Sequence, residues 1–445
     1  MAGRPMPGTV STKQARIAEL ANQMPGAALR SLSHHMDLGW MREAFRRTRK
    51  DGAVGVDGQT ADEYAKDLED NLQSLLDRAK SGDDYRAPPV RRVHIPKGDG
   101  SQTRPIGIPT FEDKVLQRAV VMLLEPLYEQ DFYDFSYGFR PRRSPHDAAE
   151  ALYQGLWDMQ GGWVIDADIR NYFGTIDRKG LQDLVSRRVA DGVVRRLIGK
   201  WLRAGVQEEG VVHHPEAGTP QGGVISPVLS NIYLHEVLDR WWAEEVVPRL
   251  RGAAFMVRFA DDFVMVFAER GDAERVHETL PKRFERYGLD LHPEKTRLID
   301  FRRPRRDGTG PKPGSFDFLG FTYHWGRSRR GSQILKRRTS KKRFSRGLKA
   351  IKHWAKRARH VPIAKQAKTL GHKLRGHYNY YGLRGNSASI QRFAYEVRRI
   401  WKKWLGRRSQ RSRMTWEKFN RLLQRYPLPP ARIRRRPQQL RLVNL

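Results

Sequence analysis

The sequence predicts an α/β fold of antiparallel hairpins and helices, followed by a helical, strongly basic C-terminal part. Three observations carry this. Residues 91–108 and 255–267 each alternate apolar and polar positions on both sides of a short turn, the pattern of antiparallel hairpins. Around them, segments such as Phe111–Tyr128 repeat apolar residues at helical spacing. Charge is also partitioned. Residues 321–445 hold 37 of the chain's 84 Lys and Arg but only two of its 49 acids, Glu396 and Glu417, leaving 47 of each sign in residues 1–320. The net +35 therefore resides in the last part. Trp354, Tyr378, Tyr380, Tyr381, Trp401, Trp404 and Trp416 interleave with those cations, which reads as a packed nucleic-acid surface.

Composition excludes several classes. A chain of 445 residues has room for about three domains. It contains no cysteine, which rules out disulfides, thiolate zinc sites and a cysteine nucleophile, and fits a reducing compartment such as the cytoplasm. No apolar run reaches the ~18 residues of a membrane span, and the first residues lack the apolar core of a signal peptide.

In chain order, residues 1–30 are small, polar and weakly patterned, and are expected to be mobile at the start. Leu38–Thr48 and Ala61–Ser81 have helical spacing. Arg91–Ile108 is a hairpin whose tip carries Lys97 and Arg104, two cations suited to a triphosphate or to plain solvation. Phe111–Tyr128 is an apolar helix that should stop or kink at Pro126. The loop Ser136–Arg143 supplies Arg140 and Arg142, and Ser144-Pro145 opens the next helix. Trp163–Ile169 alternates as a strand, placing Asp166 and Asp168 on one face. Phe173 follows five residues after Asp168, and Asp177 caps the following helix. Gly218, Gly222 and Gly223 allow a ligand close to the backbone before the helix that starts near Val224. In Val257–Phe267 two apolar runs flank Asp261-Asp262. Adjacent carboxylates repel unless a cation holds them, although Asp is also a common turn residue. Ala273–Tyr287 is a helix, and Leu289–Phe301 and Phe316–Tyr323 are short strands. Glu294 and Lys295 read as turn charges. Basic helices are expected over Lys341–Arg359, Pro362–Tyr381, Phe393–Leu405 and Trp416–Arg425, with a poorly ordered arm from Ala431.

One Asp on a strand, two on a hairpin tip, a cationic fingertip, a Gly-rich loop and a basic aromatic block suit nucleotide transfer to a 3′ hydroxyl. That chemistry uses two divalent ions about 4 Å apart, with oxygen ligands of the kind Mg²⁺ prefers. Asp168, Asp261 and Asp262 can supply the oxygens, and Lys97 and Arg104 can neutralise outer phosphates.

The motifs IPKGDGSQTRPIGIPTFEDKVLQ, YGFRPRRSPHDA, DADIRNYFGTID, GTPQGGVISPVLSNIYL, RFADD, LHPEKT, FLGF and LRGHYNYYG occur in the order found in group II intron-encoded reverse transcriptases, or maturases. The chain resembles that family over roughly residues 35–430. The resemblance implies a right-hand polymerase. A segment 1–34 precedes fingers and palm over 35–325, a helical thumb or maturase region over 326–405, and a basic nucleic-acid-binding segment over 406–445. It implies RNA-directed DNA synthesis with two Mg²⁺ ions, dNTPs, an RNA template with a DNA primer, intron RNA and target DNA as partners, and a cytoplasmic or nucleoid location. Alternatives are an RNA-binding splicing maturase, or a free-standing relative serving repair or phage defence.

By the same resemblance, Asp168, Asp261 and Asp262 are the palm carboxylates and metal ligands, together with the main chain of Ile169. Phe173 stacks under the sugar and rejects a 2′-hydroxyl. Gln221 contacts the nascent base pair, Lys97 and Arg104 are the fingertip cations, and Phe259 lies against the nucleotide. Arg140, Arg142, Gly222, Lys341, Arg343 and Arg375 are the expected nucleic-acid contacts. Two positions depart from the family. Phe259 stands where Tyr is usual, and Gly174 stands where Asp often follows the aromatic gate. The zinc-associated endonuclease of many relatives is not expected, since residues 321–445 hold no cysteine and two acids. An RNase H or integrase is not expected for the same lack of acids.

Overall fold

The computed structural model describes residues 8–82, 84–97, 102–208, 210–213, 218, 222–305, 312–328, 330–409 and 414–433. The chain opens with helices α1 (Val10–Gln23), α2 (Leu38–Arg47), α3 (Ala61–Tyr64) and α4 (Leu68–Ser81). Helix α1 lies in the segment expected to lack pattern. Its Ile17 and Ala21 are buried, and Gln14 donates to the Met122 carbonyl at 2.9 Å, so it is part of the core. The hairpin β1 (Val90–Lys97) and β2 (Gln102–Ile108) follows, then α5 (Phe111–Tyr128). Pro126 falls in the last turn of α5, where the helix is already ending.

Next come α6 (Pro145–Asp158), β3 (Trp163–Asp168), α7 (Tyr172–Thr175), α8 (Arg178–Ser186) and α9 (Gly192–Arg203). Ser144 caps α6 in a capping box with Asp147. Asp177 caps α8 through Lys179 and Gly180, as its position predicts. The short strands β4 (Val206–Glu208) and β5 (Val211–His213) join the first hairpin in the order β2-β1-β4-β5. Helix α10 (Ser226–Leu234) runs on in wider, π-type turns through His235–Val246.

The central sheet has the order β6-β7-β3-β8, from β3, β6 (Ala254–Phe259), β7 (Asp262–Phe267) and, after α11 (Arg270–Glu285), β8 (Arg297–Asp300). All its pairings are antiparallel. The stretch Phe316–Tyr323 is two strands rather than one, β9 (Phe316–Phe318) and β10 (Phe321–Arg327), because Leu319 and Gly320 both take positive φ. Strand β10 pairs with β11 (Gln333–Thr339), which carries the sheet past 325, where the helical region was expected to begin. Helices α12 (Lys341–Arg357), α13 (Ile363–Tyr381), α14 (Ser387–Leu405) and α15 (Trp416–Arg425) complete the chain.

Three apolar clusters hold these parts. The largest surrounds α5 and one face of the central sheet, the second lies between α6, that sheet and β9–β11, and the third fills the helical part. Phe419 of α15 is fully buried against Trp401, so the last helix packs onto α14. Arg337 of β11 joins the second cluster to α6. It bonds Glu150 at 2.6 Å, the Ala149 carbonyl at 3.1 Å and the Arg384 carbonyl at 2.7 Å. Among the described residues no helix is long and apolar enough to cross a membrane. Of the tail from Ala431, residues 434–445 lie outside the described residues.

Candidate active site

The pairing of β3 with β7 sets Asp168 directly opposite Asp262, and Asp261 precedes Asp262 in the tight turn closing β6 and β7. Three acids separated by about 90 positions in sequence thus reach one end of one sheet. Ala260, the other turn residue, takes φ 57°, a left-handed conformation uncommon for a residue with a Cβ. Gly138 makes room for this turn: a Cβ there would lie 2.2 Å from the Ala260 nitrogen.

The electrostatics show a concentration of negative charge. Burial, then Asp166, Asp261 and Asp168, push the Asp262 carboxyl up to about 8, against one opposing hydrogen bond from the Leu319 amide. Burial also raises Asp166, although Arg297 Nη2 lies 2.9 Å from its Oδ2. An all-oxygen, acidic donor set of this kind fits a hard divalent cation such as Mg²⁺. As it stands it is not a closed coordination shell. Among the described residues no three His, Asp or Glu side chains are grouped to hold one ion, and Lys295 Nζ sits 2.5 Å from Asp168 Oδ2. Lys295, read from sequence as a turn charge, is therefore a site residue. So are Arg297 and Asp166. No local pattern signals the two cations, because only the β3–β8 pairing brings residues 295–297 beside 166–168, whereas strand alternation already sets Asp166 on the face of Asp168.

The expected metal contact Ile169 is buried just past β3, in a bridge with Leu291. Phe173 is half-buried on α7, its ring centroid 5.3 Å from that of Tyr172. Tyr172 is anchored through its hydroxyl to the Ser230 carbonyl of α10 at 2.7 Å. Of the Gly-rich stretch, Gly218 approaches this aromatic and Gly222 approaches the first hairpin. A Cβ on Gly218 would lie 2.8 Å from the Phe173 carbonyl oxygen, and one on Gly222 would meet Ile106 of β2 at 2.5 Å. Gly218 thus lies against Phe173, and Gly222 against the first hairpin. Arg104 is exposed on that hairpin. Gln221 and the Lys97 side chain lie outside the described residues. Phe259 is half-buried opposite Asp262, its ring centroid 6.3 Å from that of exposed Phe139.

Arg140 is not where a template contact must be. Its side chain is 2% exposed and forked onto Glu129 at 2.9 and 3.1 Å, and it donates to the Tyr133 and Ser136 carbonyls. It is a buried strut, whereas Arg142 is exposed with φ 60°. Arg140→Ala is expected to destabilise the protein by about 3 kcal/mol, because it strands Glu129 and two carbonyls. Arg142→Ala should leave the melting temperature within a degree or two, and comparing the two melts checks this. Lys341 and Arg343 are exposed at the start of α12, and Arg375 is exposed on α13.

Comparison with known proteins agrees with this geometry. Residues 95–323, just over half of the chain, match the family described as reverse transcriptase (RNA-dependent DNA polymerase). The chain is 36% identical over 289 residues to protein YkfC of Escherichia coli (strain K12), covering 58% of this chain and 75% of that protein. It is 38% identical over 207 residues to group II intron-encoded protein LtrA of Lactococcus lactis subsp. cremoris, covering 44% of this chain and 34% of LtrA. It is 24% identical over 302 residues to nuclear intron maturase 2, mitochondrial, of Arabidopsis thaliana, covering 59% and 38%. With its palm acids on a β-hairpin and neighbouring strand, and a matched segment running from the fingertip hairpin into β10, the chain belongs to the reverse transcriptase (RNA-dependent DNA polymerase) family, among the group II intron-encoded proteins and maturases.

Proposed function

We propose that the chain extends a DNA primer along an RNA template by two-metal nucleotidyl transfer, and that it binds intron RNA, assists its splicing and copies it from a nick in target DNA. The observation that carries the polymerase reading is the juxtaposition of Asp168, Asp261 and Asp262 at the end of one sheet, where burial and then neighbouring carboxylates raise Asp262. Asp168, Asp261 and Asp262 would hold Mg²⁺, with the Ile169 carbonyl beside them. When bound, the ions would lower the pKa of the attacking 3′ hydroxyl and neutralise the triphosphate and its departing oxygen. The remaining work falls to the chain. Lys97 and Arg104 draw the outer phosphates in, Gln221 and the glycines beside it admit the base pair, and Phe173 supports the sugar. Lys295 balances the charge of Asp168. The test is primer extension on an RNA template with dNTPs and Mg²⁺, and absence of extension would overturn the reading.

RNA binding is carried by the C-terminal helices. Residues 321–445 hold 37 cations to two acids, and Lys341, Arg343 and Arg375 face outward. About six phosphate contacts predict a log–log slope of about −4 to −5 for affinity against salt. Filter binding of a structured RNA between low and moderate salt checks this, and neutralising Lys341, Arg343 and Arg375 together should flatten the slope by about 2–3.

A further inference from the structure

The turn that carries Asp261 rests on a buried ionic network that the reaction itself does not call for. Arg258 and Asp239 are both fully buried. Arg258 Nε donates to Asp239 Oδ1 at 2.7 Å and Nη2 to Oδ2 at 2.5 Å. The guanidinium does not stop there. Nη1 donates to Asn231 Oδ1 and to the Ala260 carbonyl, each at 3.1 Å. Asn231 in turn donates from Nδ2 to the Gly138 carbonyl at 2.7 Å, and Gly138 is the residue packed against Ala260. The Arg258 backbone is also held on both sides, its N–H by the Phe135 carbonyl and its carbonyl by the Tyr137 N–H. Asp239 sits on the π-wound segment that continues α10, the same helix whose Ser230 carbonyl anchors Tyr172 beside Phe173.

Stability alone does not account for this arrangement. A buried ion pair is often replaceable by well-packed apolar residues without loss, since desolvation cancels much of its attraction. What an apolar pair could not do is donate to the Ala260 carbonyl, in a residue whose left-handed backbone aims the next residue, Asp261. Nor could lysine, which lacks the planar fork needed to serve Asp239, Asn231 and Ala260 together.

We infer that Arg258, locked by Asp239 and Asn231, is a positioning residue: it fixes the Ala260–Asp261 turn so that Asp261 and Asp262 present their carboxylates to a divalent cation. The inference rests on the reading of that hairpin as the ion site. The test uses the full chain with an RNA template and DNA primer. The variants are Arg258→Lys, Asn231→Ala and the double change Arg258→Met with Asp239→Leu, which removes both charges and keeps the apolar bulk. Three readouts are taken: the melting temperature, kcat and KM in primer extension, and Mn²⁺ binding followed by electron paramagnetic resonance. The double variant should melt near the parent while kcat falls at least tenfold, KM for template–primer stays within twofold, and half-saturation by Mn²⁺ moves up at least fivefold. Arg258→Lys and Asn231→Ala should shift kcat and Mn²⁺ binding in the same direction by at least threefold, and they decide the matter if the double variant does not fold. Folded variants with kcat and Mn²⁺ binding within twofold of the parent would overturn the inference. Mn²⁺ binding that survives Asp262→Asn would instead overturn the ion-site reading beneath it.

Discussion

Asp262→Asn should abolish primer extension and at the same time make the metal-free protein more stable. The first effect follows from charge. On the proposed reading Asp262 holds a cation that neutralises the triphosphate and its leaving oxygen, which is worth several kcal/mol in the transition state, so the rate should fall on the order of 10³-fold or more. The second follows from what the fold does to that carboxylate. Asp262 is raised from 3.8 to about 8, first by burial and then by Asp166, Asp261 and Asp168. A carboxyl whose folded pKa is raised costs stability when it ionises. The cost is absent below about 4, where folded and unfolded chains are both protonated, and grows as pH climbs towards about 8. In chelator, the Asn variant should therefore melt higher than the parent near pH 8 and equal to it near pH 4. Asp262 keeps some contact with water, so the gain should be about 1–2 kcal/mol rather than the larger figure a sealed site would give. Added Mg²⁺ should narrow the gap by stabilising the parent alone. A variant that loses activity but melts lower at every pH would show that Asp262 serves the fold and not an ion.

How much of this was readable before the structure depended on the range over which each signal acts. The Val257–Phe267 hairpin is local: its alternation and its two acids predict β6, β7 and the turn between them. The same holds for β3, for the Asp177 cap and for the four basic helices, whose apolar stripes recur at helical spacing. Arg140 misled because its type and loop setting are those of a phosphate contact. Its fate is decided by Glu129, eleven residues upstream, and by carbonyls that only the folded loop turns inward. Lys295 was missed for the opposite reason. Nothing near it in sequence is acidic enough to explain it beyond Glu294, and its partner Asp168 is 127 positions away across the β3–β8 pairing. Helix α1 hid because only Ile17 and Ala21 are fully buried in a segment otherwise small or polar. The Arg258 network was invisible in principle. An Arg near the end of a strand and an Asp in a helix become one unit only when both are buried.

Phe173→Ala should relax the choice of sugar more than any other single change near the site. Phe173 is half-buried against the core, and its position is set from three sides. Asn171 enters α7 in the left-handed region, Tyr172 is buried and tied to Ser230, and the Gly218 backbone lies against the Phe173 carbonyl. A side chain on Gly174 would have to displace the Asn171 amide, whose nitrogen would lie 2.4 Å from its Cβ, so an acid after Phe173 would not fit here without that shift. These contacts fix the Phe173 backbone, and a fixed backbone is what a steric gate would need, since a ring able to swing aside would admit a 2′-hydroxyl. Shape exclusion of one small group is worth on the order of 10²-fold. The ratio of kcat/KM for a deoxynucleotide over its ribonucleotide should therefore fall by about that factor in the Ala variant. Because Tyr172 rather than Phe173 carries the anchoring hydrogen bond, the variant should still fold and still extend with dNTPs. An unchanged ratio in a folded, active Phe173→Ala protein would mean that the ring lines the core beside the nucleotide and does not meet the sugar.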